Sequence, residues 1–168
     1  MNHFVIMGVS GCGKSTVADL LAKRLNTAMI EADALHSAAN IEKMRRGDPL
    51  TDDDRWPWLA HVATAMQESE TPLIVSCSAL RRSYRQCLSD VAQVPIGFIH
   101  LHTHRDVIAE RMSNRKGHFM PLSLLDSQIE LLEPLQDDER GVVVDIDKTI
   151  EFVVDEALLF VRKSLPIL

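Results

Sequence analysis

The sequence predicts an α/β domain in which a five-stranded parallel sheet is covered on both faces by helices. Two observations predict it. Short apolar runs alternate with helical patterns along the whole chain, as expected when parallel strands are joined by crossover helices. Between the first apolar run and the first helical pattern stands Gly8-Val9-Ser10-Gly11-Cys12-Gly13-Lys14-Ser15, which fits G-x-x-x-x-G-K-[ST] at every fixed position. At 168 residues there is room for one such domain, and 46% hydrophobic with 25% charged residues is ordinary for a soluble globular protein.

In chain order, His3–Met7 is the first strand, and the glycine-rich loop follows it directly. Glycines let such a loop turn so that several N–H groups point inward, and the next helix adds its positive dipole end. The loop predicts a P-loop NTPase fold, a three-layer sandwich. Lys14 is placed to reach the β- and γ-phosphates of ATP, and the Ser15 hydroxyl to be a ligand of Mg²⁺. Thr16 opens a helical pattern that ends near Asn26.

Ala28–Glu31 reads as the second strand, with Asp33 just past its end. Ligands collect at the carboxyl ends of such strands, so Asp33 is a candidate for orienting an acceptor hydroxyl and taking its proton. Residues 36–54 read as irregular, punctuated by Gly47-Asp48-Pro49. Thr51 with Asp54 resembles a capping box, although Asp is shorter than the preferred Glu or Gln, and predicts a helix over 55–67. Residues 73–77 form the third strand, with Ser78 at its end and a basic helix carrying Arg81, Arg82 and Arg85 after it. The fourth strand spans 96–101, a helix 106–114, another 123–132, the last strand 142–145 and a closing helix 150–161.

Arg111 and Arg115 stand four apart, on one face of a helix, where one could stack on a base while the other meets phosphates. Segment 116–125 lies between two helical patterns and holds a glycine and a proline, which predicts a lid that closes over the phosphates and excludes water. No N-K-x-D sequence for reading guanine is present. His100, His102 and His104 alternate along a strand end, but no Cys or carboxylate pattern accompanies them, so a metal site is not expected. Trp56 and Trp58, flanking Pro57, read as core packing rather than a stacking platform.

A net charge of −6 argues against general nucleic-acid binding, which needs a basic face. Basic residues still cluster at 43–46, 81–85 and 111–116, where small anions could bind. The apolar runs are too short to cross a bilayer and no leader pattern opens the chain, so a cytoplasmic location without a membrane partner is expected. Cys12, Cys77 and Cys87 are odd in number and lack C-x-x-C spacing, in keeping with reduced thiols. Cys12 lies inside the phosphate nest, where the helix end and Lys14 lower a thiol pKa and burial raises it. An inert residue that fits the turn is the simpler reading; a reactive thiol protected by MgATP is the alternative.

Six blocks together resemble one family, the gluconokinases. They are Met7 to Ser15, Glu31-Ala32-Asp33-Ala34-Leu35-His36, Asn40-Ile41-Glu42-Lys43-Met44, Gly47-Asp48-Pro49-Leu50-Thr51-Asp52-Asp53-Asp54-Arg55, Cys77-Ser78-Ala79-Leu80-Arg81 and Arg115-Lys116-Gly117-His118-Phe119. The resemblance covers nearly the whole chain, and the Asp-Asp-Asp-Arg and Lys-Gly-His-Phe blocks are its most specific parts. It implies ATP-dependent phosphorylation of the 6-hydroxyl of D-gluconate, giving 6-phospho-D-gluconate and ADP. It also implies strand order 2-3-1-4-5, as in shikimate and nucleoside monophosphate kinases, a mobile lid and a homodimer. Lys14, Asp33 and Arg115 would then be catalytic. Gly8 to Thr16, Arg111 and Arg115 would bind ATP, and Asp33, His36, Asn40, Arg55, Ser78, Arg81 and His118 would bind gluconate. A small polyhydroxy anion suits such a set, since an arginine can hold its carboxylate through two parallel N–H···O bonds. Arg55, Arg81 and Arg85 are all candidates for that arginine.

Overall fold

The computed structural model describes residues 2–114 and 122–164. Arg115, His118 and most of the expected lid lie outside the described residues; residues 122–125 of that segment begin a helix. Five strands, β1 (His3–Met7), β2 (Ala28–Glu31), β3 (Leu73–Ser76), β4 (Ile96–His102) and β5 (Gly141–Asp145), form one sheet in the order β2-β3-β1-β4-β5. Every pairing is parallel, as the alternation of strands and helices predicts.

Among the described residues the α-helices are α1 (Lys14–Leu25), α2 (Ala38–Arg46), α3 (Asp52–Gln67), α4 (Arg82–Ala92), α5 (Arg105–Ser113), α6 (Leu122–Leu131) and α7 (Ile150–Ser164). Strand β1 lies in the middle of the sheet and is buried on both sides. Its residues alternate by the strand period of two. Phe4 and Ile6 enter a core with Val17, Leu21, Val154 and Ala157 of α1 and α7, while Val5 and Met7 meet Leu59, Val62, Tyr84 and Leu88 of α3 and α4. Two apolar layers therefore clamp the strand that carries the P-loop.

Strand order does the rest. Because β3 lies between β1 and β2, the loops leaving all three open side by side at one edge. Those loops are the P-loop, a short 3-10 turn over Ala32–Leu35 that carries Asp33, and the segment bearing Ser78.

Segment 36–54 is a correction, because residues 38–46 are helical rather than irregular. Ser37 caps α2 by accepting from the Asn40 N–H at 3.2 Å, and Gly47 closes it with φ 82°. Those are ordinary helix boundaries. They are legible at Ser37 and Gly47 once the Gly47-Asp48-Pro49 turn is read as a stop rather than as part of a long loop. Helix α3 also starts earlier than expected, at Asp52. Its capping box does form: Thr51 Oγ1 accepts from the Asp54 N–H at 3.3 Å, and the Asp54 carboxylate accepts from the Thr51 N–H at 2.8 Å.

Candidate active site

The P-loop is shaped by what its glycines exclude. Gly8 has φ 140°, and a Cβ there would come within 2.7 Å of the Leu101 carbonyl oxygen. Gly11 has φ 80°, and a Cβ there would strike the Met112 side chain at 2.6 Å. Neither position tolerates a side chain without moving β4 or α5. The loop delivers the chain into α1, whose first turn contains no acidic residue, so the helix end keeps its positive field for an anion. Lys14 Nζ donates to Val9 O at 3.0 Å, and Ser15 Oγ stands 3.5 Å from Ser76 Oγ.

Next to the loop is a cavity whose walls include Ser10, Lys14, Asp33, His36, Arg55 and Ser78, with Trp58, Leu80 and Leu124 as apolar surface. Six residues expected from the sequence, Ser10, Lys14, Asp33, His36, Arg55 and Ser78, thus share one cavity. Asp33 is well exposed in it, and His36 Nε2 lies 3.9 Å from Asp33 Oδ1. Burial lowers the His36 pKa, with Asp33 opposing the shift and Arg55 adding to it. The imidazole is therefore neutral at pH 7.

Asn40 and Arg81 are placed elsewhere. Asn40 is buried behind His36. Arg81 pairs with Asp52 at 3.0 Å, outside the cavity lining. Arg85 is structural. Its guanidinium, 1% exposed, donates to the Glu139 carboxylate, with Nη2 to Oε2 at 2.9 Å. It also donates to the carbonyls of Ala79, Leu80, Glu133 and Pro134. Burial works against the Glu139 charge, but Arg85 and the Gln136 N–H hold its pKa below the usual carboxylate value. Of the three candidate arginines only Arg55 faces the cavity. Arg85→Met should cost about 3–5 kcal/mol of folding stability in urea titration, the usual price of stranding a buried carboxylate. A loss under about 1 kcal/mol would show that the pair does not hold these loops together.

The Asp-Asp-Asp-Arg block turns out to be scaffolding around Arg55. Asp52 accepts from Arg81 and from the Tyr84 hydroxyl. Burial and that bond push the Tyr84 pKa up to about 12. Asp54 caps α3 and binds Lys43 Nζ at 2.7 Å; the bonds from Lys43 and Thr51 lower its pKa to about 2. Arg55 donates to Leu50 O, and its guanidinium lies 5.5 Å from the Tyr84 ring centre. Trp58 is buried, as expected of core packing; its Nε1–H donates to Ala32 O, and its ring stacks on His36 at 4.1 Å.

One contact was not anticipated. Gln128 of α6 lines the cavity, and its Oε1 accepts from the Ser10 N–H at 2.6 Å. No motif surrounds Gln128, and only the fold brings α6 to the loop.

A second cavity lies beyond α1, bounded by Gly13, Thr16, Val17, Arg111, Ile146 and Ile150. Arg111 Nη2 donates to Ile146 O at 2.6 Å. Lys148 also lines it, and mostly apolar walls with a guanidinium suit a flat heteroaromatic group.

Cys12 follows the simpler of its two readings. It is 1% exposed, and burial raises its pKa, outweighing the opposing influence of Lys14. Its Sγ lies under the loop, 2.9 Å from where a Gly8 Cβ would be. The reactive-thiol alternative fails because the sulfur faces the core rather than the nest. Iodoacetamide should therefore label the partly exposed Cys87 well before Cys12, as read by peptide mass spectrometry. Equal labelling of the two would contradict the buried placement.

Known proteins resemble this chain over nearly its whole length. The AAA domain family matches residues 4–135. A gluconokinase of Gluconobacter oxydans is 46% identical, over 92% of this chain and 88% of that protein. The thermoresistant gluconokinase of Escherichia coli is 43% identical, over 96% of this chain and 94% of that protein. The crystal structure of a gluconokinase from Sinorhizobium meliloti superposes with a TM-score of 0.90 at 47% identity, covering 97% of this chain and 93% of that one. Such identity, sustained from the P-loop to the closing helix, leaves one assignment: the chain belongs to the gluconokinase family.

Proposed function

We propose that this protein transfers the γ-phosphoryl group of ATP to the 6-hydroxyl of D-gluconate. The observation that carries the reading is that Lys14, Asp33 and Arg55 line one cavity beside the P-loop. A phosphate-binding cation, a proton acceptor and a carboxylate-binding guanidinium are what this acceptor needs.

In the proposed reaction the P-loop amides and Lys14 take the phosphates, with Lys14 exchanging Val9 O for a phosphate oxygen. The bond from the γ-phosphorus to its bridging oxygen breaks as the 6-oxygen bonds to phosphorus. The hydroxyl proton passes to Asp33, and ADP leaves. Arg55 binds the gluconate carboxylate, while His36 and Ser78 meet its hydroxyls. Arg111 and the second cavity take the adenine. Arg115 and His118 keep the catalytic and substrate roles that the family resemblance implies, and the lid closes over both substrates. Catalysis is mainly positioning and charge stabilisation.

Magnesium fits the nest, where the Ser15 hydroxyl at the start of α1 would serve as a hard oxygen ligand beside the phosphates. Bound there, the ion would neutralise charge on the phosphates. The same reading includes a homodimer, which light scattering tests, and a cytoplasmic location. Among the described residues no helix is long and apolar enough to cross a membrane. The acidic balance of −6 supports the absence of a nucleic-acid partner.

A panel of acceptors with an ADP-release readout tests the assignment. D-gluconate should stimulate ADP release strongly, while shikimate and nucleoside monophosphates should not. Stimulation by either rival acceptor would overturn the gluconate assignment. ADP release indifferent to every acceptor would indicate a nucleotide-binding protein without a small-molecule acceptor.

A further inference from the structure

His36 has two ring nitrogens, and the hydrogen bonds around it settle which one carries the proton. Asn40 Nδ2 donates to the backbone carbonyl of Asp54 at 2.9 Å. A carbonyl can only accept, so this contact fixes the orientation of the Asn40 amide: its NH₂, not its oxygen, faces Asp54. The same Nδ2 lies 3.3 Å from His36 Nδ1, and both groups are buried. With its second hydrogen aimed at Nδ1, Asn40 requires a lone pair there. The proton of the neutral ring must then sit on Nε2.

The plane of the ring is fixed independently. Trp58 stacks on it at 4.1 Å with 17° between planes, and Trp58 is itself held by its bond to Ala32 O. Nε2 is thereby directed to the side of Asp33, at 3.9 Å from Oδ1. That is too long for a hydrogen bond, so the Nε2–H remains available to an oxygen entering the cavity.

We propose that Asn40 is a positioning residue that holds His36 as its Nε2–H tautomer, so that the ring presents a hydrogen-bond donor to the acceptor substrate beside Asp33. The functional half of this inference rests on the gluconate kinase reading; the tautomer itself does not. Other charged groups near the ring are Arg55 from α3 and the Lys43–Asp54 pair joining α2 to α3. Burial keeps the ring neutral, so its role is that of a fixed donor and not of a proton shuttle. This also explains an asparagine at position 40 that lies outside the cavity lining: it acts through His36.

Two-bond ¹H–¹⁵N spectra of the full-length protein test the tautomer without any substrate, with His36 assigned by its loss in His36→Gln. Wild type at neutral pH should show the proton on Nε2. A proton on Nδ1, or an imidazolium, overturns the proposal. In Asn40→Asp the carboxyl oxygen facing the ring must accept, which should move the proton to Nδ1. kcat/KM for gluconate should then fall about tenfold or more, while ATP affinity stays within about twofold. A moved proton with unchanged kcat/KM, or an unmoved proton, overturns it. A second pair does not depend on Asn40→Asp folding. His36→Gln can place an N–H near Nε2 and should keep kcat/KM within about tenfold of wild type. His36→Asn reaches only to the Nδ1 position and should lose about ten- to a hundredfold more. Equal losses in the two variants overturn the donor role. A wild type that ignores gluconate refutes the activity reading instead, and the spectrum still decides the tautomer.

Discussion

Lys14→Met should reduce kcat/KM for gluconate by about a thousandfold or more while the protein stays folded. Lys14 opens α1 at the mouth of the nest, and its ammonium is bonded to Val9 O, a contact within the loop itself. Losing that bond costs little stability, because the loop backbone is held by the Gly8 N–H bond to Ser78 O and by the Ser10 N–H bond to Gln128. What is lost is a positive charge where negative charge shifts during transfer, in a site that the proposed lid shields from water. Removing one such stabilising group typically costs about a hundred- to a thousandfold, and a charged one stands at the upper end. Methionine keeps the length and apolar stem, so the comparison isolates the charge. Thermal melting should be nearly unchanged. A variant keeping a tenth of wild-type kcat/KM, a loss of only about 1.4 kcal/mol, would remove Lys14 from the proposed role.

The parts of this molecule that the sequence makes legible are those set by local chemistry. The P-loop announces itself because only glycine fits at positions 8 and 11, and β1 does so because a central strand must be apolar on both faces. Strand order was not legible from periodicity, which is blind to which strands are neighbours; it came from the family resemblance and is seen in the sheet. Helix α2 was obscured by its neighbour, since Gly47-Asp48-Pro49 resembles the middle of a loop as much as the end of a helix. Three arginines of one type diverge in role for reasons that only tertiary structure supplies. Arg85 is taken up by Glu139 and four carbonyls, Arg81 by Asp52, and Arg55 is left to the cavity. Cys12 is decided in the same way. Its place in the motif brings it close to Lys14, but the direction of its side chain, beneath Gly8, puts burial in control.

Asp33→Asn should lower kcat about a hundredfold or more and leave ATP affinity within about twofold. Asparagine matches the carboxylate in shape and can still accept a hydrogen bond from the acceptor hydroxyl. It cannot take the proton, so the 6-oxygen must attack while still carrying it. The surroundings of Asp33 favour a clean comparison. Its side chain is 66% exposed, and His36 is the near charged or titratable neighbour at 3.9 Å, so no buried ion pair is broken by removing the charge. The 3-10 turn that carries it follows β2, one strand removed from the strand that carries the P-loop, and nucleotide contacts should therefore be untouched. Neutralisation also removes a negative charge from a cavity that must admit both gluconate and the γ-phosphate. KM for gluconate should accordingly hold or fall while kcat collapses, a split that loss of structure would not produce. The competing role is support of the metal ion. In that case ATP affinity in the presence of Mg²⁺ would collapse and kcat at saturation would stay near wild type. Isothermal titration with an ATP analogue, set beside steady-state rates, separates the two. The second pattern would move Asp33 from the acceptor to the nucleotide side of the site.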